Sequence, residues 1–303
     1  MQHTQSYKSR YQEIKRGRKR AQRRIALCSL AVLLLAVFGV WFFNREVAEE
    51  AEEAPAPAIN SAVQMTPRPL AELEDTYFLE LVNFRYPIRR TPDLDTFETA
   101  WPDIPAQTAY LMLDGSARAA VAEWLRQAEG AGISGILIAS GYRSEEQQAE
   151  LYHSVADPSL VKPPGHSEHH TGLAIDIGIS GVTLEEMAGL PEVLWLAETA
   201  WEHGFILRYP EGTAHITGIT FEPWHFRYVG RPHAFYMHRH NLVLEQYLDR
   251  LQARSVLHIT LEGHTYEVWH QTPRDGMIYV PTHLPFHMSS DNRGGYVVTV
   301  EIS

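Results

Sequence analysis

From Leu173 to Ile179 the chain alternates: Leu173, Ile175, Ile177 and Ile179 fall on one parity, Ala174, Asp176 and Gly178 on the other. That period-2 pattern predicts a strand with one aliphatic face buried and Asp176 opposite it, among small residues. Trp224, Phe226 and Tyr228 alternate in the same way with His225 and Arg227. This predicts a second strand whose aromatics enter the core while His225 faces away. Pro223 has no N–H to give to a ladder, so Glu222 is expected on a turn at that strand's mouth.

Other stretches carry helical spacing. Val121, Trp124, Leu125 and Ala128 predict a helix capped by Ser116 and running to about Glu129, followed by a buried strand over 133–139. Ser144 with Gln147 forms a capping-box pattern, so a helix is expected from Glu145, and Thr183 with Glu186 forms another. A helix is expected over Pro191–His203, ended by Gly204, and a closing helix from Pro232 to about Leu251. Leu79–Asn83 and Phe205–Tyr209 read as strands, the latter beside the Asp176 strand. Residues 256–261 and 265–269 around Glu262-Gly263 read as a hairpin, with further strands at 277–280 and 296–302.

The N-terminal part differs. Residues 1–24 are basic, and Ile25–Phe43 carry no charge, a run close to the ~20 residues that span a bilayer as a helix. Trp41, Phe42 and Phe43 close it as an interfacial belt, and the basic flank predicts an inside N-terminus and an outside C-terminus. A cleaved signal peptide fits less well, because no Ala-x-Ala site follows promptly. A lipoprotein does not fit, because Cys28 opens the apolar run. Cys28 is the sole cysteine, which excludes an intrachain disulfide. Residues 44–69, rich in Ala, Glu and Pro, read as an extended linker.

The net charge is −11. Residues 1–45 hold 10 of the 26 Lys and Arg but one of the 37 Asp and Glu, leaving 16 against 36, or −20, for the remainder. An acidic exterior domain argues against nucleic-acid binding.

His169 precedes the Asp176 strand, and Gly172 permits a bend that returns it toward Asp176. Imidazole and carboxylate both suit Zn²⁺. A third ligand and a base can come from Glu222-Pro223-Trp224-His225: two histidines and a carboxylate leave a position open for water, whose proton Glu222 would take. The chain has 16 histidines; His166, His170, His203, His215 and His233 compete as ligands, but only His169 and His225 stand with the required Asp and Glu. Arg143, just before a helix and at a strand's end, is placed to polarise a carbonyl and steady an oxyanion. The competing reading is a surface Arg paired with a Glu. Gln148 and Ser167 are candidates for holding a substrate carboxylate, or for bracing a core carbonyl and the loop.

The pattern Ser167-x-His169-x-x-Gly172-x-Ala174-x-Asp176, followed by Glu222-Pro223-Trp224-His225, resembles the zinc D-alanyl-D-alanine carboxypeptidases and dipeptidases. With SGYRSEEQ and EHGFILRYPEGTAHITGITFEPWHFRYVGRPH it is most similar to the VanY type of glycopeptide-resistance systems, within the superfamily that includes VanX and the lysostaphin- and Hedgehog-like peptidases. The resemblance covers roughly residues 75 to 303. It implies zinc on His169, Asp176 and His225, Glu222 as general base, and Arg143 at the oxyanion. It also implies a substrate, D-Ala-D-Ala at the end of peptidoglycan stem peptides.

The expected fold is α+β: a small, largely antiparallel sheet with the metal on one face and helices on the other. The expected organisation is a basic inside segment (1–24), a membrane anchor (25–43), a linker (44–69), a zinc peptidase domain (70–254) and a small β extension (255–303). An L,D-carboxypeptidase or another wall peptidase of the superfamily is the alternative, then a wall-binding module without turnover. A free-dipeptide hydrolase is opposed by the anchor.

Overall fold

The computed structural model describes residues 63–93, 97–98, 105–107, 111–154 and 161–303. The basic segment, the apolar run 25–43 and the linker up to residue 62 lie outside the described residues. Among the described residues no helix is long and apolar enough to cross a membrane. Residues 58–303 belong to one compact unit.

In chain order the strands and helices are β1 (Met65–Pro69), β2 (Phe97–Glu98), β3 (Leu113–Asp114), α1 (Gly115–Gly130), β4 (Ile136–Ser140) and α2 (Glu145–Ser154). Then come β5 (Ala174–Ile179), α3 (Pro191–Thr199), β6 (Phe205–Leu207), the short α4 (Ala214–Thr217), β7 (His225–Tyr228), α5 (Arg231–His240) and α6 (Leu244–Gln252). The chain ends with β8 (Leu257–Leu261), β9 (His264–Gln271), β10 (Met277–Pro281), β11 (Phe286–Ser290) and β12 (Tyr296–Glu301).

The central sheet has the order β4-β5-β7-β6, with every pair antiparallel. Its aliphatic face, Leu173, Ile175, Ile177 and Ile179, shares a core with Val121, Trp124 and Leu125 of α1 and Val193 and Leu196 of α3. Trp124 stacks on Phe205 at 5.5 Å and meets Phe226 edge-on at 5.1 Å, so the alternating aromatics of β7 do enter the core. The opposite face carries Asp176, His225 and Arg227. The expected division into one apolar face and one face carrying the candidate ligands Asp176 and His225 therefore holds.

Several local expectations change. α1 is capped by Asp114, not Ser116: the Asp114 carboxylate accepts from the Ser116 and Ala117 N–H groups, and a carboxylate two positions earlier reaches these orphan donors. β6 pairs with β7, one strand away from β5. Leu79–Asn83 is not a strand; its backbone bonds partly to local turn carbonyls, from Glu80 N to Tyr77 O and from Asn83 N to Tyr86 O, and partly to distant side chains, with Arg227 donating to Glu80 O and Asn292 to Leu81 O. The closing helix breaks at Asn241, whose φ of 51° is left-handed. Asn tolerates that conformation, and the break separates α5 from α6.

β8 and β9 form the expected hairpin, and β12 and β11 extend it into a four-stranded sheet of order β11-β12-β9-β8. One face of this sheet (Leu257, Ile259, Val268, Val297) packs on Met237, Leu244, Tyr247 and Leu251 of α5 and α6. Met65–Pro69, inside the stretch read as linker, pairs antiparallel with β10. Pro67 and Pro69 are tolerated because this is a two-stranded ladder, where a missing N–H can face away from the partner.

Candidate active site

The strand register puts Asp176 of β5 directly opposite His225 of β7. Side chains so paired on one face stand about 5 Å apart at Cβ. Asp176 Oδ1 lies 2.9 Å from His225 Nδ1. His169 arrives from a 3₁₀ turn, Glu168–Thr171, which Gly172 closes at a left-handed φ of 73°. This is the bend the sequence anticipated, and it sets His169 Nε2 3.2 Å from Asp176 Oδ2. One donor atom from each of the three residues lies within 4.8 Å of the others. Two imidazole nitrogens and a carboxylate oxygen at this spacing suit a zinc ion and leave a coordination position for water.

The two candidate imidazole ligands are oriented from behind. His169 Nδ1 is 2.7 Å from Gly141 O, which directs Nε2 to the metal position. His225 is turned the other way: Nδ1 faces Asp176, and Nε2 lies 3.4 Å from Glu168 Oε2. Glu168 is fully buried and accepts from Arg208 Nε at 2.8 Å and Arg227 Nη1 at 3.1 Å. Arg208 also forks onto Glu245 with bonds of 2.9 and 2.7 Å. Burial alone would raise the Glu168 carboxyl, but Arg208 and Arg227 hold it far below the ordinary range and ionised. Burial is likewise outweighed at Asp176 by His169 and His225, which keep it strongly depressed.

Glu222 lies on the turn before β7, where its N–H donates to Tyr209 O and its carbonyl accepts from His225 N. Its side chain lines a cavity of about 250 Å³ with all three ligands, Arg143, Lys162, Ser167 and Tyr209. Burial raises its carboxyl above the ordinary glutamate value. Arg143 follows β4 and precedes α2, whose capping box from Ser144 and Gln147 is present. Its guanidinium donates to Gln148 Oε1 at 2.9 Å and Ser140 Oγ at 3.0 Å, and among the described residues to no glutamate. Gln148 in turn donates to Lys162 O at 2.7 Å, so it braces Arg143 and the loop before the metal turn. Ser167 is buried in the cavity wall.

The competing histidines are engaged elsewhere. His170 bridges Arg143 O and Gly165 N, His166 reaches Asn83 O, His203 reaches Gln127, His215 reaches Gly212 O, and His233 meets Tyr247 and Thr299. Sequence reasoning passed over Glu168, Arg208, Arg227 and Glu245, and it read Lys162 only as the rim of the loop that leads into the His169 turn. Arg227 shares the parity of His225, which was a usable signal. Nothing local marks Arg208 or Glu245.

Gly141 supplies the carbonyl that holds His169, and a Cβ there would come within 2.6 Å of both Met112 O and Leu111 Cδ2. Gly141→Ala is expected to shift this backbone, destabilise the fold by about 1–3 kcal/mol and weaken zinc binding. Competition with a chelator, together with thermal unfolding, measures both; unchanged zinc affinity would contradict the orienting role of Gly141.

A D-alanyl-D-alanine carboxypeptidase of Enterococcus faecium is 36% identical over 229 residues, covering 73% of this chain and 74% of that protein. The VanY D-alanyl-D-alanine carboxypeptidase family matches residues 111–231. The chain belongs to this family. The matched VanY region contains all three candidate ligands, Glu222 and Arg143. Among solved structures, the vancomycin-resistance D,D-dipeptidase VanXYg, in complex with a D-Ala-D-Ala phosphinate analogue, superposes with a TM-score of 0.66 at 26% identity, covering 80% of this chain and 100% of that one. The LD-carboxypeptidase LdcB gives a TM-score of 0.52 at 30% identity over 57% of this chain and 86% of its own.

Proposed function

We propose that this VanY-family chain is a zinc-dependent D,D-carboxypeptidase that removes the terminal D-alanine from peptidoglycan stem peptides ending in D-Ala-D-Ala, and so depletes the dipeptide that glycopeptide antibiotics bind. The observation that carries the reading is the convergence of His169, Asp176 and His225 with Glu222 and Arg143 around one cavity. A bound zinc ion would polarise the scissile carbonyl and acidify a water. Glu222 accepts that water's proton at its carboxylate and returns it to the departing D-alanine nitrogen. Arg143, held by Ser140 and Gln148, presents its guanidinium to the oxyanion. Glu168 keeps the His225 ring in the tautomer that offers Nδ1 to the metal.

The test is D-alanine release by the zinc-loaded protein from a muramyl-type pentapeptide and from the matching tetrapeptide. Release from the pentapeptide supports the D,D reading. Release confined to the tetrapeptide assigns the L,D reaction, and zinc binding without either assigns a binding module.

Because burial raises the Glu222 carboxyl, and only its ionised form accepts a proton, kcat/KM is expected to fall on acidification through a value above the ~4.3 of an ordinary glutamate. A pH profile with its acid limb at or below that value would contradict this.

The basic segment 1–24 and the uncharged run 25–43 support a single-pass anchor with the catalytic domain outside, where stem peptides are found. Externally added protease should then remove the domain from intact cells; full protection would reverse the topology.

A further inference from the structure

Lys162 carries the one ammonium in the cavity wall, and the proposed reaction does not use it; the hydroxyls of Ser167 and Tyr209 are further unused polar groups there. Its ammonium nitrogen is buried, and among the described residues it has no hydrogen-bond partner. Such an arrangement is costly, because no protein acceptor takes up the three donors of a buried ammonium. The side chain is nevertheless held in place. Its nitrogen sits 3.8 Å from the centroid of the Phe84 ring, and its backbone carbonyl accepts from Gln148 Nε2. A cation over an aromatic face is attracted by the ring but keeps its N–H groups available.

The two cations of the cavity lie toward different groups. Arg143 is within electrostatic range of the ligands Asp176 and His169, and its guanidinium is already bonded to Ser140 and Gln148. Lys162 interacts electrostatically with Arg208, which opposes its charge, and with Glu168, Glu222 and Glu245, which favour it. Gln148, read from the sequence as a possible carboxylate receptor, gives its carbonyl to Arg143 and an N–H to Lys162 O. A carboxypeptidase must bind a negative charge at the free end of its substrate, apart from the charge that develops at the scissile carbonyl.

Resting on the carboxypeptidase reading above, we infer that Lys162 Nζ is the receptor for the substrate's terminal carboxylate, and so restricts the site to chain ends. Burial of Nζ lowers its pKa to about 8, and a carboxylate brought against it would stabilise the charged form. Phe84 holds the ammonium in the free protein, and the incoming carboxylate accepts the unused N–H groups.

The experiment uses the full zinc-loaded chain and two acylated tripeptides, one ending in L-Lys-D-Ala-D-Ala with a free carboxylate, the other its C-terminal amide. Lys162→Met is expected to raise KM for the acid by about 10- to 100-fold, the range of a hydrogen bond to a charged group, with kcat within a few fold. Lys162→Arg should restore much of the affinity. On the amide, Lys162→Met and the parent should perform alike. An unchanged KM, or an equal loss on acid and amide, would overturn the inference in favour of a packing role on Phe84.

Calorimetry on zinc-loaded Glu222→Gln, with and without Lys162→Met, separates this from the reaction itself. If the parent releases no D-alanine, yet the acid binds in a manner that requires Lys162, the carboxypeptidase reading fails and the anion site stands. No binding of the acid, or binding indifferent to Lys162, overturns the site whatever the turnover.

Discussion

Glu222→Gln is expected to lower kcat for D-alanine release by about 10²- to 10⁴-fold, the contribution of a positioned general acid–base group. The amide has nearly the size of the carboxylate it replaces and can still accept a hydrogen bond, but it cannot take a proton. The substitution also removes a carboxyl whose ionised form burial disfavours, so the fold should lose little. Glu222 is not among the three converging donors, and bound zinc should remain near one equivalent. Metal analysis and D-alanine release on the same preparation make the test. A variant retaining more than a tenth of parental kcat would exclude Glu222 as the base, and one without zinc would show that Glu222 belongs to the metal site instead.

Replacing Glu168 with alanine is expected to have the largest effect on the folded state. Its carboxylate is fully buried, with Arg208 and Arg227 on one oxygen and His225 on the other. Arg208 would keep Glu245, but Arg227 would retain only backbone carbonyls and His225 Nε2 would lose its acceptor. Breaking a buried pair from one side costs about 3–5 kcal/mol, because the remaining charge stays desolvated. Loss of the group that orients a ligand imidazole should also weaken zinc by about 10- to 100-fold.

The pH dependence has a definite sign. The folded Glu168 carboxyl lies far below its unfolded value, so its contribution is complete above the unfolded ~4.3 and is lost as pH falls from there toward the folded value. The stability gap between parent and Glu168→Ala should therefore narrow in acid. Denaturant unfolding at neutral and acidic pH measures it. A gap that is constant or widens on acidification would mean that the carboxylate is not held ionised by Arg208 and Arg227.

Much of the site was legible because its signals are local. Alternation over 173–179 and 224–228 assigns each side chain to a face with no knowledge of the partner strand, since successive side chains of an extended chain point opposite ways. That placed Asp176 and His225 off the core faces, and Gly172 marked the bend that returns His169. The capping box at Ser144 and Gln147 fixed where α2 begins and so put Arg143 just outside it, because a cap is satisfied within one turn. The helix at 191–203 and the hairpin at 262–263 were legible for the same reason: proline, glycine and helical or alternating spacing act over a few residues.

Tertiary structure decided the rest. Whether Asp176 stands opposite His225 depends on the register of strands 49 residues apart in sequence at these positions, which no local period sets. Glu168, Arg208, Arg227 and Glu245 read singly as ordinary charged residues; only the fold removes them from water together, and only then does their pairing become obligatory. Lys162 read as the rim of a loop, and its nitrogen became a buried, unused donor only when Phe84 and the cavity wall closed around it. The sequence determined by itself which side chains can bind a metal and move a proton, because that is set by residue type and local spacing. The tertiary structure decided which of them meet and which charges are shielded, because contact and desolvation belong to the assembled chain.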